Sequence, residues 1–559
     1  MFPVNFPVAN KFKNKNNIKV KFLTGATYVE NKLYVNPSVW ILKSYYNRYG
    51  LNSNKVSWLD TVFNNEFFSK EDMIKIIKVE KPDVLCFGLY IWNNPLYASI
   101  GKYVKENWPN IVLIAGGPNI YAHKDLDKFW KEYSWLDAVA YGDGEKAFAT
   151  IIDTLIDSSQ IAEGTNISYI SNLSENILLP HERFKDKDFT FVSPVIENKD
   201  SIRKEIIKLR EQDSKVEVCI NWDFTRGCPY ACSFCDWSSG LHHKISRKKY
   251  DWKEDLDFFA SLNITVEWAD GNVGMFKDDI DIIKYAYSLE KDYPGFVLVY
   301  HNFAKLHKKA VFDIIDYIEE HKPGETMFTF SVQDIDDSIL KNIDRPDISW
   351  QEHKKYILDT KAKHPNMKFF MGIIVGLPGQ TIAHMDYMLN EFAEVGAIFV
   401  TGNLWVLLIN SPAYETSYRE QHKIKIKNVS HIYHINQESK TRDDLFNNLS
   451  KCNHYTADTI IETYSADLSE IMAMYGMGII YQVLVNKLKK VDKKLISTVM
   501  QKHEYWRDFG KKMAQLMEDD YEKYGVMLTA FPAYDKQMTL FEYFESKETL
   551  QEILRYKLT

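Results

Sequence analysis

Short apolar runs alternate along this chain with segments whose apolar residues recur at helical spacing, the pattern of strands followed by helices. Residues 18–24 read as a strand, 37–49 as a helix, 56–59 as a short strand and 71–79 as a charged helix. The run 83–92 is apolar almost throughout, as a central parallel strand covered on both faces requires. A helix over 96–108, strands over 111–115 and 138–141 and a helix from 145 extend the series. Such alternation predicts a doubly wound, Rossmann-like α/β sheet over residues 1–155.

Residues 156–215 lose the rhythm and read as a linker ending in a helix. From 217 the alternation returns. Strands are expected over 218–224, 264–269, 296–301, 327–332, 368–375 and 397–408, with helices over 253–262, 278–289, 308–320, 338–363 and 384–395. Six strand–helix units, two short of a closed eightfold barrel, predict a partial (β/α)6 barrel over 216–415. The tail, 416–559, is rich in Tyr, Lys and Glu and predicts a mainly helical domain.

Bulk properties remove several classes of partner. With 69 basic and 76 acidic residues the net charge is −7, and no basic excess points to nucleic acid. The start, Met-Phe-Pro-Val, lacks the charged and apolar segments of a signal peptide, and no apolar run approaches the length of a membrane span. Six cysteines in 559 residues, three of them clustered, fit a reducing compartment. The expectation is a cytoplasmic protein with no membrane partner.

Those three cysteines carry the chemistry. Cys228, Cys232 and Cys235 follow the strand-like run 218–224 on one loop, at x3 and x2 spacing. Thiolates hold iron–sulfur clusters, and short spacings let several sulfurs reach one cluster. Three ligands on a [4Fe–4S] cluster leave one iron open to a small molecule. A structural zinc site completed by Cys219, His242 or His243 is the competing reading.

A second group of features falls where the strands of the first domain end, the place where such sheets bind ligands. These are Thr24-Gly25-Ala26, Tyr90-Ile91-Trp92-Asn93, Gly116-Gly117-Pro118-Asn119 and Tyr141-Gly142-Asp143-Gly144-Glu145. Any one of them alone reads as a tight βα turn. Four at equivalent positions predict a binding edge, with the helix start after Gly144 able to attract an anionic group.

The Cys-x3-Cys-x2-Cys loop, with Phe234 before its last cysteine, resembles the cluster motif of the radical S-adenosylmethionine (SAM) family. The strand-end pieces of the first domain resemble the cobalamin-binding domain that precedes many radical SAM domains. Tyr90, Trp92, Asn93, Gly116, Gly117, Pro118, Gly142 and Glu145 would then contact cobalamin. Many cobalamin proteins supply a His to cobalt from an Asp-x-His-x-x-Gly motif, which is absent here. His123 is the one histidine in the first 150 residues.

Further matches lie at later strand ends. Asp270 and Asn272 stand where the family has Gly-Gly-Glu for the SAM amino group. Ser331 and Gln333 resemble its Ser-x-Gln element, Arg345 lies where a guanidinium could pair with the methionine carboxylate, and Gly376 falls in its adenine-side turn. The turn Asn410–Tyr414 resembles one in the same cobalamin-dependent group, and 463–465 and 470–477 are candidates to face substrate. The resemblance covers about residues 18–415.

It implies a cobalamin-dependent radical SAM methyltransferase. A 5′-deoxyadenosyl radical would abstract hydrogen from an unactivated carbon, and methylcobalamin would supply the methyl group. Such chemistry suits a C–H bond that no side-chain base can deprotonate. The implied cofactors are a [4Fe–4S] cluster, SAM and cobalamin. The implied partners are a small-molecule or peptide substrate and a low-potential electron donor such as flavodoxin or ferredoxin. A non-methylating rearrangement, cyclisation or oxidation is the alternative outcome on the same fold, and a non-catalytic cofactor-binding sensor is a further one.

Overall fold

The structure, a computed structural model, describes residues 9–29, 32–64, 70–121, 125–140, 142–160, 169–171, 193–212, 215–237, 245–248, 251–300, 303, 309–345, 349–435, 439–449, 453–533 and 536–555. His123, Tyr141, His242, His243 and most of the predicted linker lie outside them. The chain divides into two compact units, one of residues 1–227, 240–270 and 281–300, the other of 228–239, 271–280 and 301–559.

In the first unit, alternate strand residues explain the apolar runs. Ile18, Val20, Phe22, Val84, Cys86, Val112, Ile114, Ala138 and Ala140 form one buried core with Val39 and Tyr46 of the helix Ser38–Tyr49 and with Phe148, Ile151, Ile152 and Leu155 of the helix Gly144–Asp157. The other face is covered as well. Phe87 meets the rings of Trp135 at 5.1 Å and Tyr97 at 5.6 Å. Burying each large aliphatic or aromatic chain contributes roughly 1.5–3 kcal/mol, so covering both faces of the central strands is what stabilises this sheet.

Ile18–Val29, Val84–Gly88, Val112–Gly116 and Ala138–Ala140 run parallel. The apolar run predicted as one strand over 83–92 pairs only to Gly88, because residues 91–93 turn to start the helix Asn94–Asn107.

The sheet does not stop at the first strand. Ile18–Val29 is longer than predicted, and its last residues pair antiparallel with Lys32–Val35. Lys32–Val35 then pairs parallel with Glu217–Trp222, which is followed by Thr265–Trp268 and Val297–Tyr300. One 11-stranded sheet therefore includes both the N-terminal strands and the first three strands of the second series. Four residues that periodicity passed over make the join.

The second unit holds the parallel strands Met327–Gln333, Lys368–Val375 and Phe399–Leu404 as a separate three-stranded sheet. Phe399–Leu404 is shorter than the strand predicted over 397–408. The tail has the expected helices, Leu468–Leu488 and His503–Tyr524 among them. It also contains a long antiparallel pair, Lys425–His434 with Asn453–Glu462, and a hairpin of Ala530–Ala533 with Lys536–Thr539.

Among the described residues one helix, Leu468–Leu488, is long and apolar enough to cross a membrane, which corrects the reading that no apolar run approaches that length. Its most apolar window is 72% buried inside the protein, and Tyr481 hydrogen-bonds the Ala397 carbonyl at 2.8 Å. It is a core helix.

Candidate functional site

The strand ends of the first unit are held together by backbone hydrogen bonds between adjacent turns. Gly88 and Gly116 end adjacent strands in register. The Leu89 N–H donates to the Gly116 carbonyl at 2.8 Å, and the Asn119 N–H to the Leu89 carbonyl at 3.2 Å. Gly117 adopts φ 109°, and a Cβ there would lie 2.6 Å from the Leu89 oxygen. Only glycine allows these two turns to approach so closely.

Asn93 is fully buried. Its side-chain oxygen accepts from the Tyr90 N–H and its amide donates to the Gly88 carbonyl, both at 2.8 Å. Both polar ends are engaged within the turn, so Asn93 shapes the loop. Tyr90 bonds Asn36 through its hydroxyl and stacks on Trp92, with ring centroids 4.8 Å apart. Trp92 is 48% exposed, a flat apolar face at the edge of the sheet.

Gly142, with φ 76°, turns the chain into the helix Gly144–Asp157. The helix start does not offer the vacant positive end that the sequence suggested. Asp143 and Glu145 occupy its first turn, and both pair with Arg226. Burial works against the Arg226 charge, but Glu145 and Asp143 outweigh it and raise its pKa. Sequence reasoning missed this pair, whose members are 81 residues apart. Asp270, also predicted to contact SAM, accepts backbone N–H bonds from Phe224 at 2.8 Å and Thr225 at 3.0 Å. Burial pushes its carboxyl up to about 6.

The cysteine loop belongs to the second unit. Cys232 is buried, and Cys228 and Cys235 are half-buried. The Cys235 N–H closes a tight turn on the Cys232 carbonyl at 3.1 Å. Ser233, fully buried, clamps the middle of the loop. Its N–H donates to Ile343 O at 2.9 Å, its carbonyl accepts from Ala413 N–H at 2.8 Å, and its hydroxyl bonds Tyr418 at 3.0 Å. The turn Asn410–Tyr414 thus works as a buttress of the cysteine loop.

Nitrogen donors face the sulfurs. Asn272 Nδ2 lies 3.6 Å from Cys228 Sγ, and Arg345 Nη1 lies 3.8 Å from Cys232 Sγ while Nη2 donates to the Ser331 carbonyl at 2.6 Å. Burial pushes the Cys235 thiol up to about 12, with Asp236 and the other two thiols adding to it. A bound cation must displace that proton.

Among the described residues no group of three His, Cys, Asp or Glu side chains converges on one metal ion. One zinc ion would draw its sulfurs to about 2.3 Å from a common centre, whereas a cluster spreads its ligands over several irons. Cys219, the one candidate for a zinc set among the described residues besides the loop cysteines, lies buried in the strand Glu217–Trp222, where burial raises its pKa. Three thiols on one clamped loop, each beside an N–H donor, fit a cluster.

The remaining predicted residues surround the strands that follow. Gln333 adopts φ 68°, and Gly376 φ 97°. Gln380, fully buried, accepts from the N–H groups of Gly376 at 2.9 Å and Leu377 at 3.0 Å and donates to Asp334 at 2.7 Å. Ser465, which the sequence reading placed toward substrate, accepts from Gly379 N–H at 2.8 Å and so holds the same turn.

Residues 222–392 match the Radical SAM superfamily. Over 330 residues, 57% of this chain and 46% of the relative, the sequence is 27% identical to the cobalamin-dependent radical SAM methyltransferase TokK of Streptomyces tokunonensis. Over 419 residues it is 24% identical to 2-(S-pantetheinyl)-carbapenam-3-carboxylate methyltransferase of Streptantibioticus cattleyicolor, covering 73% of this chain and 57% of that protein. The chain spans about half the length of the curated relatives it matches. In fold it is similar to the cobalamin-dependent S-adenosylmethionine radical enzyme OxsB with aqua-cobalamin and S-adenosylmethionine bound, at TM-score 0.58 and 11% identity over 97% of this chain and 85% of that one. The cysteine loop and these similarities point the same way: residues 222–392 match the Radical SAM superfamily, and the chain is similar to cobalamin-dependent radical SAM enzymes.

Proposed function

We propose that this protein is a cobalamin-dependent radical SAM methyltransferase that moves a methyl group to an unactivated carbon of a small-molecule or peptide substrate. The clamped loop of Cys228, Cys232 and Cys235 supports the reading most directly, because its three sulfurs with N–H donors beside them suit an iron–sulfur cluster. The two curated relatives described above are named as methyltransferases.

On this reading residues 1–155 form the cobalamin-binding domain, 156–215 a linker, 216–415 a partial (β/α)6 barrel and 416–559 a closing, mainly helical domain. Once bound, the [4Fe–4S] cluster supplies the electron that cleaves SAM and the corrinoid carries the methyl group. The protein's part is to hold and orient. Cys228, Cys232 and Cys235 hold the cluster, and Ser233 fixes their loop. Trp92, Gly116, Gly117 and Pro118 present a flat ring and bare backbone to the macrocycle. Gln333 and Gly376 shape the turns assigned to SAM, and a low-potential flavodoxin or ferredoxin supplies electrons.

The test is substrate-free. Protein reconstituted without oxygen with iron, sulfide and cobalamin is reduced with titanium(III) citrate, which brings the corrinoid to Co(I), and incubated with methyl-labelled SAM, and the extracted corrinoid is analysed by mass spectrometry. The labelled methyl group is expected on the corrinoid. A corrinoid without label overturns the methyltransferase reading in favour of a non-methylating reaction.

A further inference from the structure

The charge around a cluster, the hydrogen bonds to its sulfurs and its exposure to water set how readily it accepts an electron. Here each ligand sulfur faces an N–H group from a different part of the chain. The Asn272 amide approaches Cys228, the Arg345 guanidinium approaches Cys232, and the Trp237 backbone N–H donates to Cys235. Asn272 and Arg345 are 5% and 4% exposed, so water does not compete for either donor.

Each donor is held in place. Arg345 is anchored through its other nitrogen to the Ser331 carbonyl at 2.6 Å. Asn272 follows Gly271, against which the Trp237 ring lies so closely that a Cβ would come within 3.0 Å of it. The Asn272 side-chain oxygen is buried and has no hydrogen-bond partner among the described residues. The Cys228 sulfur is therefore the partner that orients this amide. A side chain that merely filled space here would be apolar, since a buried amide half-satisfied costs about 1–3 kcal/mol.

We propose that Asn272 and Arg345 set the reduction potential of the cluster held by Cys228, Cys232 and Cys235, an inference that rests on the cluster reading above. The step concerned is the entry of one electron into the oxidised cluster from an external low-potential donor of the flavodoxin or ferredoxin class, with no bond made or broken. Donors at thiolate sulfur withdraw negative charge and favour the reduced form. Removing one makes reduction harder.

The experiment is a potentiometric titration of the full chain, reconstituted without oxygen with iron and sulfide, using dithionite as reductant and the EPR signal of the reduced cluster as the readout. Iron and sulfide are counted first. Asn272→Leu and Arg345→Met are expected to keep about four irons per chain and to shift the midpoint negative. At fixed donor potential about tenfold less cluster is then reduced, a change of about 59 mV for one electron. Asn272→Asp, the same shape with a negative charge in place of the donor, is expected to shift it further. A fully loaded variant with the wild-type midpoint overturns the proposal. So does loss of the cluster from all three variants with the fold intact by circular dichroism, because the residues would then retain ligands rather than tune them. An unmutated chain that binds no iron overturns the cluster reading itself, a result distinct from the other two.

Discussion

The turns that end the N-terminal strands and the loop that carries the cysteines use their side chains in opposite ways. At the first, polar side chains turn inward. Asn93 staples its own turn, and Glu145 and Asp143 pair with Arg226. What remains toward solvent is largely backbone at Gly117 and Pro118 and the exposed ring of Trp92. At the second, the scaffold bonds run through Ser233, and the cysteine sulfurs are left beside N–H donors. The first edge is built to match a shape and the second to coordinate. A large macrocycle with many weak contacts suits the one, and a cluster with three strong bonds suits the other.

The comparison can be broken at the first edge most forcefully through Gly117. Gly117→Val forces a β-branched residue to φ 109° and a Cβ against Leu89, a cost of about 3 kcal/mol. Urea unfolding should register the loss, and cobalamin retention on gel filtration should fall while iron loading persists. Equal retention would mean that this turn does not shape the corrinoid edge.

Asp270 tests whether a second predicted ligand also serves the scaffold. Its folded pKa is raised to about 6 by burial, above an unfolded carboxyl near 3.9. The folded state holds the proton more tightly, so this residue's contribution is greatest below the unfolded value and is lost as pH rises through 6. The loss across that window is roughly 3 kcal/mol. Asp270→Asn keeps an acceptor for Phe224 and Thr225 N–H and should remove this slope between pH 4 and 6 in denaturation curves. A slope that persists would assign the pH dependence elsewhere.

Asn93→Ala removes two buried hydrogen bonds and is expected to cost roughly 2 kcal/mol, with weaker cobalamin retention as the turn relaxes. Glu145→Gln is the mildest change. Arg226 retains Asp143 and is partly solvated, so about 1 kcal/mol is expected. Cobalamin retention should hold. If it is lost instead, Glu145 is a cofactor contact, as the sequence pattern suggested, and the inward-facing account of this edge fails.

Much of the architecture was legible because strands covered on both faces leave continuous apolar runs, and the cysteine spacing is local. What was hidden depends on distant partners. Lys32–Val35 is too short to show a period, and its role as the join comes from pairing with Glu217–Trp222. The pairing of Arg226 with Glu145, and of Arg345 with Cys232, links residues 81 and 113 positions apart. Asn93 and Ser465 read as ligand contacts because their types are polar and their places are strand ends, yet their bonds go to backbone. One omission had a signal. Ile424-Lys425-Ile426-Lys427 alternates with period two, and it leads into the strand Lys425–His434 inside a tail expected to be mainly helical.

The most direct test of the central claim compares the unchanged chain with its Cys228→Ala, Cys232→Ala, Cys235→Ala triple variant, both reconstituted without oxygen and supplied with SAM and dithionite. The unchanged chain should hold about four irons and release 5′-deoxyadenosine, while the variant stays folded, lacks the cluster and releases none. Release of 5′-deoxyadenosine by the triple variant, or an unchanged chain that stays colourless and iron-free, would contradict the account.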